Sequence, residues 1–270
     1  MHSLLRRIRG RAQHTYRCAT QSDYRYYHQE MARLRSLARY QPGSTRLLGR
    51  PMDFGDAESL VSMYEEIFLK EVYRFQSNDE TPHIIDGGAN IGLSVIYFKR
   101  LYPKARIVAF EPDPKLFKML RDNMKSFGHE DVALMCKALW LSETTLNFFA
   151  EGADAGRISR SDDQCSFAVP AVRLREFLNG PVAFLKLDIE GAETEVLRDC
   201  ADLLGNVERV FVEYHSFAKE KQELSSLVSV LSNAGFRLHI HPSLVSQRPF
   251  VSRKVCHNMD SQLNIFAFRS

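Results

Sequence analysis

A chain of 270 residues with 44% hydrophobic and 26% charged residues can bury one full core and has the composition of an ordinary globular protein. Its apolar runs fall short of the roughly 20 residues that span a bilayer, and its basic N-terminus lacks the apolar stretch of about 7–15 residues that marks a secretory signal. Five scattered cysteines (Cys18, Cys136, Cys165, Cys200, Cys256) without a CxxC pair argue against a disulfide framework or zinc knuckle and for a reducing cytoplasm.

The net charge of +3 divides unevenly: eleven arginines against Asp23 and Glu30 give residues 1–50 a balance of +9, which leaves −6 for 51–270. In that first stretch Tyr24, Tyr27, Met31, Leu34 and Leu37 fall on one face of a helix over 23–40, and Gln-Pro-Gly-Ser at 41–44 breaks it. Residues 1–50 thus read as a basic helical extension ahead of a main domain at 51–270. The arginines suit either peripheral contact with an anionic membrane or a plain solvated appendage. Nucleic acid is not expected, because no RNA-binding motif accompanies the charge.

A second helix should start at an Asp56 N-cap and run to Lys70. From Pro82 the pattern alternates. A strand at 83–87, a helix at 92–102, a strand at 105–112, a helix at 113–127 and a strand at 131–139 come first. A strand at 181–188, a helix at 192–200, a strand at 207–215, a helix at 219–234 and strands at 236–241 and 262–269 follow. Strands spaced by helices predict a doubly wound, largely parallel sheet, and the last two strands, joined only by a loop, predict an antiparallel hairpin.

In such sheets a ligand lies beyond the carboxyl ends of the strands. The first of these ends carries Asp86-Gly87-Gly88-Ala89-Asn90-Ile91-Gly92, where glycine lets the backbone pass close to a ligand. A dinucleotide GxGxxG is excluded, since Gly87 would require glycine at Ala89 and Gly88 would require it at Asn90; no Walker lysine supports a phosphate loop. The next strand ends in Glu111, placed to accept both hydroxyls of a ribose. An acid, a glycine turn and a second acid suit S-adenosylmethionine, a nucleoside without phosphate that carries an ammonium and a sulfonium. Ala138 would face the adenine or simply pack in the core.

The segments "IIDGGANIGLSVIYF", "VAFEPDP" and "FLKLDIEGAETEVL" together resemble the FkbM family of S-adenosylmethionine-dependent methyltransferases. The resemblance covers roughly residues 70–215 and the "QLNIFAFR" end. It implies a Rossmann-like seven-stranded sheet and O-methylation of hydroxyls in macrolide-like products or glycan sugars. It also implies cofactor contacts at Asp86, Gly87, Gly88, Asn90, Gly92, Glu111, Pro112, Ala138 and Asp188.

Three acids end the apolar strand before Gly191: Asp188, Glu190 and, just beyond, Glu193. Unpaired burial of a carboxylate costs several kcal/mol, so their placement needs a reason. A carboxylate pressed on sulfur would stabilise the ground state more than the transition state, so Asp188 suits the cofactor amine or the acceptor hydroxyl. Glu190 points toward the acceptor, and Glu193 suits the dipole of the following helix. Asp188, Glu190 and His215 are the candidate catalytic residues, one of them a base. No residue is committed to a metal, although Asp188, Glu190, Glu213 and His215 could share Mg²⁺ as a rival route. His239 and His241 read as packing or exposed residues.

The expected activity is O-methylation of a sugar hydroxyl in a polysaccharide or glycolipid. A polyketide-type hydroxyl is the enzymatic alternative, and a non-catalytic adenosyl-ligand or RNA-binding module is the other.

Overall fold

Successive residues of a strand face opposite ways, and in this chain both faces of the central strands are apolar. Ile84, Phe184 and Phe211 enter one core cluster, while their neighbours Ile85, Leu185 and Val212 enter a second on the opposite side of the sheet. Only a sheet covered by helices on both faces satisfies that pattern. The structure, a computed structural model, describes residues 17, 20–150, 156–158, 166–256 and 258–269. Residues 1–16 of the basic arm lie outside them, as do Cys18 and Cys165.

The helices are α1 (Ser22–Ser36), α2 (Ala57–Tyr64), α3 (Leu93–Leu101), α4 (Pro114–Phe127), α5 (Glu193–Asp199) and α6 (Leu224–Asn233). The main sheet contains β3 (His83–Gly87), β4 (Arg106–Phe110), β5 (Ala133–Met135), β10 (Phe184–Leu187), β11 (Arg209–Phe217), β12 (Arg237–Leu244) and β13 (Met259–Phe268), in the order β12-β13-β11-β10-β3-β4-β5. The pairs from β5 through β11 are parallel, and β13 runs antiparallel to both β11 and β12. The expected seven-stranded, mostly parallel sheet with an antiparallel finish is therefore present. Helices α1 to α4 pack on one face through Leu34, Leu60, Phe98 and Met124; α5 and α6 pack on the other through Val196, Leu197, Leu227 and Leu231.

Local chemistry sets the helix ends. Asp56 caps α2 by accepting from Ser59 N–H at 3.0 Å, as expected. Asp113 caps α4 by accepting from Lys115 N–H at 2.7 Å, with Pro114 in the first turn, and Gly128 closes it at φ 73°. The helix expected to reach Lys70 does so, but its last turn, Glu65–Leu69, is a π-helix closed by Lys70 N–H on Glu65 O at 2.9 Å. The extra residue in that turn brings Glu66 to the cleft described below, an arrangement typical of π-turns at functional sites.

Three expectations are corrected. The strand foreseen at 131–139 is two: β5 ends at Met135, and β6 (Ala138–Trp140) leaves for a separate four-stranded sheet with β7 (Thr144–Ala150), β8 (Gly156–Ile158) and β9 (Ser166–Arg173). That small sheet carries little sequence signal, because Pro170 lies inside β9, where proline argues against a strand. The helix foreseen at 219–234 starts only at Leu224. A boundary at residue 50 also falls inside a hairpin, β1 (Gly43–Thr45) with β2 (Met52–Phe54), while Met31 and Leu34 of α1 share a cluster with Ile84.

Where β3 and β10 end side by side the backbones almost touch. Gly88 has φ +78°, and a Cβ there would lie 1.8 Å from Asp188 O; Gly49 has φ +89° and open space around it. Gly88→Ala is expected to lower unfolding stability in urea by about 3–5 kcal/mol, and Gly49→Ala by only about 1–2 kcal/mol. Equal losses would show that backbone conformation alone, not the strand-end approach, makes glycine necessary at 88.

Candidate active site

Lys186 of β10 stands directly opposite Asp86 of β3, and Asp188 follows two residues later on the same side. The ammonium is 3.2 Å from Asp86 Oδ1 and 3.5 Å from Asp188 Oδ2. It also donates to the carbonyls of Gly88 at 2.8 Å and Gly87 at 3.2 Å. Burial opposes its charge, but the two carboxylates outweigh it and hold the lysine firmly protonated. Lys186 lies within the "FLKLDIEGAETEVL" segment, whose spacing alone assigns it no role. In the fold it neutralises two strand-end acids at once.

The glycine turn above it is fixed from the next strand. Gly88 and Ala89 N–H donate to Phe110 O at 3.0 and 2.9 Å. Glu111 accepts from Asn90 N–H and from Asp113 N–H, each at 2.9 Å, one on each oxygen. Burial pushes the Glu111 carboxyl up to about 8 in spite of those two bonds. Each oxygen retains a lone pair for a ligand hydroxyl.

A cleft of about 380 Å³ opens over these strand ends and brings together, among its lining residues, Gly88, Asn90, Glu111, Pro112, Ala138, Asp188, Glu190 and His215. Asp86, Gly87 and Gly92, expected as cofactor contacts, do not reach it. Asp86 is 0% exposed and is taken up by Lys186 and the Ser94 hydroxyl. Gly87 packs under Leu139 and Leu187, and a Cβ on Gly92 would meet Met124 at 2.6 Å. These residues build the floor rather than the surface.

The far wall is acidic. Glu193 stands in the first turn of α5, where the sequence placed it for the helix dipole, and also turns back to accept from Ile189 N–H at 3.1 Å and Gly191 N–H at 3.0 Å, with its Oε1 3.1 Å from His215 Nδ1. That grip holds Glu190 in the left-handed region at φ 56°, with its Oε2 3.6 Å from His215 Nε2. Strain of this kind in a non-glycine residue costs of order 1–3 kcal/mol and persists only where its surroundings impose it. Burial works against a charged His215, yet Glu190, Glu193 and Glu213 raise its pKa well above the ordinary value. That direction favours the imidazolium and works against His215 as a base. Burial and Asp188 raise Glu213 well above the usual carboxylate range, and Gln262 Nε2 donates to it at 2.5 Å.

Among the described residues Asp188, Glu213 and His215 offer ligand atoms within 4.8 Å of one another, with Glu190 beside them. His239 and His241 are exposed beside Phe268 and Phe266 and stay outside the cleft. Residues that sequence reading did not single out close the cleft from the N-terminal side: Arg39, Tyr40, Ser62, Met63 and Glu66. Glu66 accepts from Asn264 Nδ2 at 2.7 Å. The helical periodicity of 57–67 was the available signal, but not which face would meet the strand ends.

The donor set fits an adenosyl ligand: a buried acid for ribose hydroxyls and strand-end acids for a cationic amino-acid part. No helix among the described residues is long and apolar enough to cross a membrane. Comparison with known proteins matches residues 86–238 to the methyltransferase FkbM domain, more than half of the chain. "Methyltransferase 1" of Beauveria bassiana is 28% identical over 207 residues, 66% of this chain and 81% of that protein. "2-O-methyltransferase NoeI" of Sinorhizobium fredii is 25% identical over 156 residues, 49% of this chain and 63% of its own length. Among solved structures, the FkbM methyltransferase of Methylobacillus flagellatus is similar at 11% identity and a TM-score of 0.48, over 78% of this chain and 52% of that one. By its matched domain, which spans more than half of it, the chain belongs to the FkbM methyltransferase family.

Proposed function

We propose that the protein is an S-adenosylmethionine-dependent O-methyltransferase whose acceptor is a sugar hydroxyl of a polysaccharide or glycolipid, with Glu190 as the base. The observation that carries this reading is the strained Glu190, held at φ 56° by its neighbours and presented in the cleft beside His215. The acceptor side of the cleft, with Glu58, Ser62, Glu66, Glu213, Ser243 and Gln262, suits a polyhydroxyl group better than a polyketide face. The similarity to NoeI, a 2-O-methyltransferase by name, adds support for oxygen as the atom methylated.

S-adenosylmethionine supplies an electrophilic methyl group on a sulfonium. Glu111 would hold the ribose hydroxyls, and Asp188, already half-neutralised by Lys186, would face the cofactor amine. Glu190 would take the acceptor proton as the oxygen–methyl bond forms and the sulfur–methyl bond breaks, with the neutral thioether S-adenosylhomocysteine as the leaving group. His215 beside it would steady the partial negative charge on the acceptor oxygen as the proton leaves. Proton removal by a positioned base is worth about 10²–10⁴-fold. A second reading rests on the Asp188, Glu213 and His215 grouping, whose donor atoms suit Mg²⁺ or a similar divalent ion holding the acceptor oxygen. It requires His215 to give up its proton.

Glu190→Gln is expected to lower kcat by about 10²-fold or more while S-adenosylhomocysteine affinity stays within about twofold. Glu190→Gly, which relieves the left-handed strain, should be equally inactive and no less stable. Parental turnover by Glu190→Gln on the true acceptor would rule Glu190 out as the base. Loss of turnover on chelation, restored by Mg²⁺, would select the second reading.

Cofactor affinity should also depend on pH. A ribose bound through an ionised Glu111 displaces the proton that the buried carboxyl holds below about pH 8. The Kd for S-adenosylhomocysteine should therefore fall as pH rises from about 6 to 8, by up to about tenfold per unit, and level off above. Glu111→Ala should flatten that slope and weaken binding at pH 8 by about 1–3 kcal/mol in calorimetry. An unchanged slope would remove Glu111 from the ribose site.

A further inference from the structure

Between β12 and β13 the described residues 245–256 form a loop that springs from the rim of the cleft, since Ser243 and Met259 on either side of it both line the cavity. The loop is internally fastened. Val251 N–H donates to Arg248 O at 3.0 Å and Ser252 N–H donates to the same oxygen at 2.8 Å. Residues 248–251 thus form a β-turn with Pro249 at the second position, where its fixed φ belongs. Below the tip, Lys254 N–H donates to Ser246 Oγ at 2.7 Å, and Cys256 and Met259 exchange backbone bonds of 2.9 Å.

This ordered turn presents apolar side chains to the outside. Phe250 at its third position is 103% exposed and Val251 is 80% exposed, with Val245 and Val255 exposed beside them. Arg248, Arg253 and Lys254 flank the tip, all exposed, and the sequence from 224 to 259 contains no aspartate or glutamate. A protruding tip has no concavity to seat a partner's side chain. A deformable surface that is apolar beneath a layer of negative charge matches both its shape and its charge.

We infer that this loop docks the protein on an anionic lipid surface. Phe250 and Val251 enter the boundary between headgroups and acyl chains, and Arg248, Arg253 and Lys254 lie at the lipid phosphates. Docking in this way places the rim of the cleft at the membrane, where a lipid-borne acceptor would arrive. That last consequence rests on the acceptor reading above, whereas docking itself does not, and it is measured without methyl donor or acceptor.

The test is flotation of the full chain with vesicles of phosphatidylcholine, alone or with about one-quarter phosphatidylglycerol. The parent should float with the anionic vesicles, and the bound fraction should fall several-fold as salt rises to about 0.5 M and the screening length shrinks. The combined Phe250→Ser and Val251→Ser substitutions lie at exposed positions that the core does not use. They should lower binding by about tenfold or more and leave S-adenosylhomocysteine affinity unchanged. In Phe250→Trp, fluorescence should shift to the blue when anionic vesicles are added. Three results would overturn the inference. One is parental binding by the doubly substituted protein, which would move the anchor to the basic N-terminal residues. The others are equal binding to neutral vesicles, and a self-associated parent that the double substitution disperses.

Discussion

One buried ammonium decides where everything at the strand ends can sit. Lys186 lies between β3 and β10 with Asp86 on one side and Asp188 on the other, and it donates to the carbonyls of the glycine turn. Without it, two carboxylates would face each other in a region where an unpaired charge costs several kcal/mol. With it, Asp86 becomes a sealed structural acid and Asp188 keeps an edge open to the cleft. The lysine thereby sets a division of labour between two acids that look equivalent in sequence.

The same logic recurs one strand over. Glu193 is a second sealed acid, engaged by two backbone N–H groups and by His215, and its engagement is what keeps Glu190 in an unfavourable conformation facing the cavity. Asp188 thus faces the cleft across Lys186 from the buried Asp86, and Glu190 faces it from a turn whose N–H groups the buried Glu193 accepts. Fixed groups of this kind need no reorganisation when a substrate arrives, which is how preorganised sites lower barriers.

Much of this was legible in the amino-acid sequence, and the limits follow from physics. The alternation of buried runs and helical segments from 82 onward determines the parallel sheet, because an apolar run with helices on both sides has few other solutions. Helix starts at Asp56 and Asp113 were readable because caps are local. The second sheet was not, since its short strands pair with partners up to about thirty residues away and Pro170 hides the longest of them. At the site, residue type announced the acids and the glycines, but not their allotment. Gly92 serves packing against α4 and Asp86 serves Lys186; both facts depend on which neighbour the fold brings near.

The position of β13 has a consequence for how the molecule is made. β12 touches the sheet only through β13, which slots between it and β11 although it is the last strand in sequence. During synthesis, β11 must therefore wait with an open edge, and β12 has no place to pair until residues 259–268 have cleared the ribosome. At about 5–20 residues per second, the interval between completing β11 and releasing β13 lasts several seconds. For that time the edge of β11 and the side chain of Phe211, which packs against Phe266 of β13 in the finished fold, are uncovered, so chaperone demand should be set by this one late insertion rather than by the chain's length.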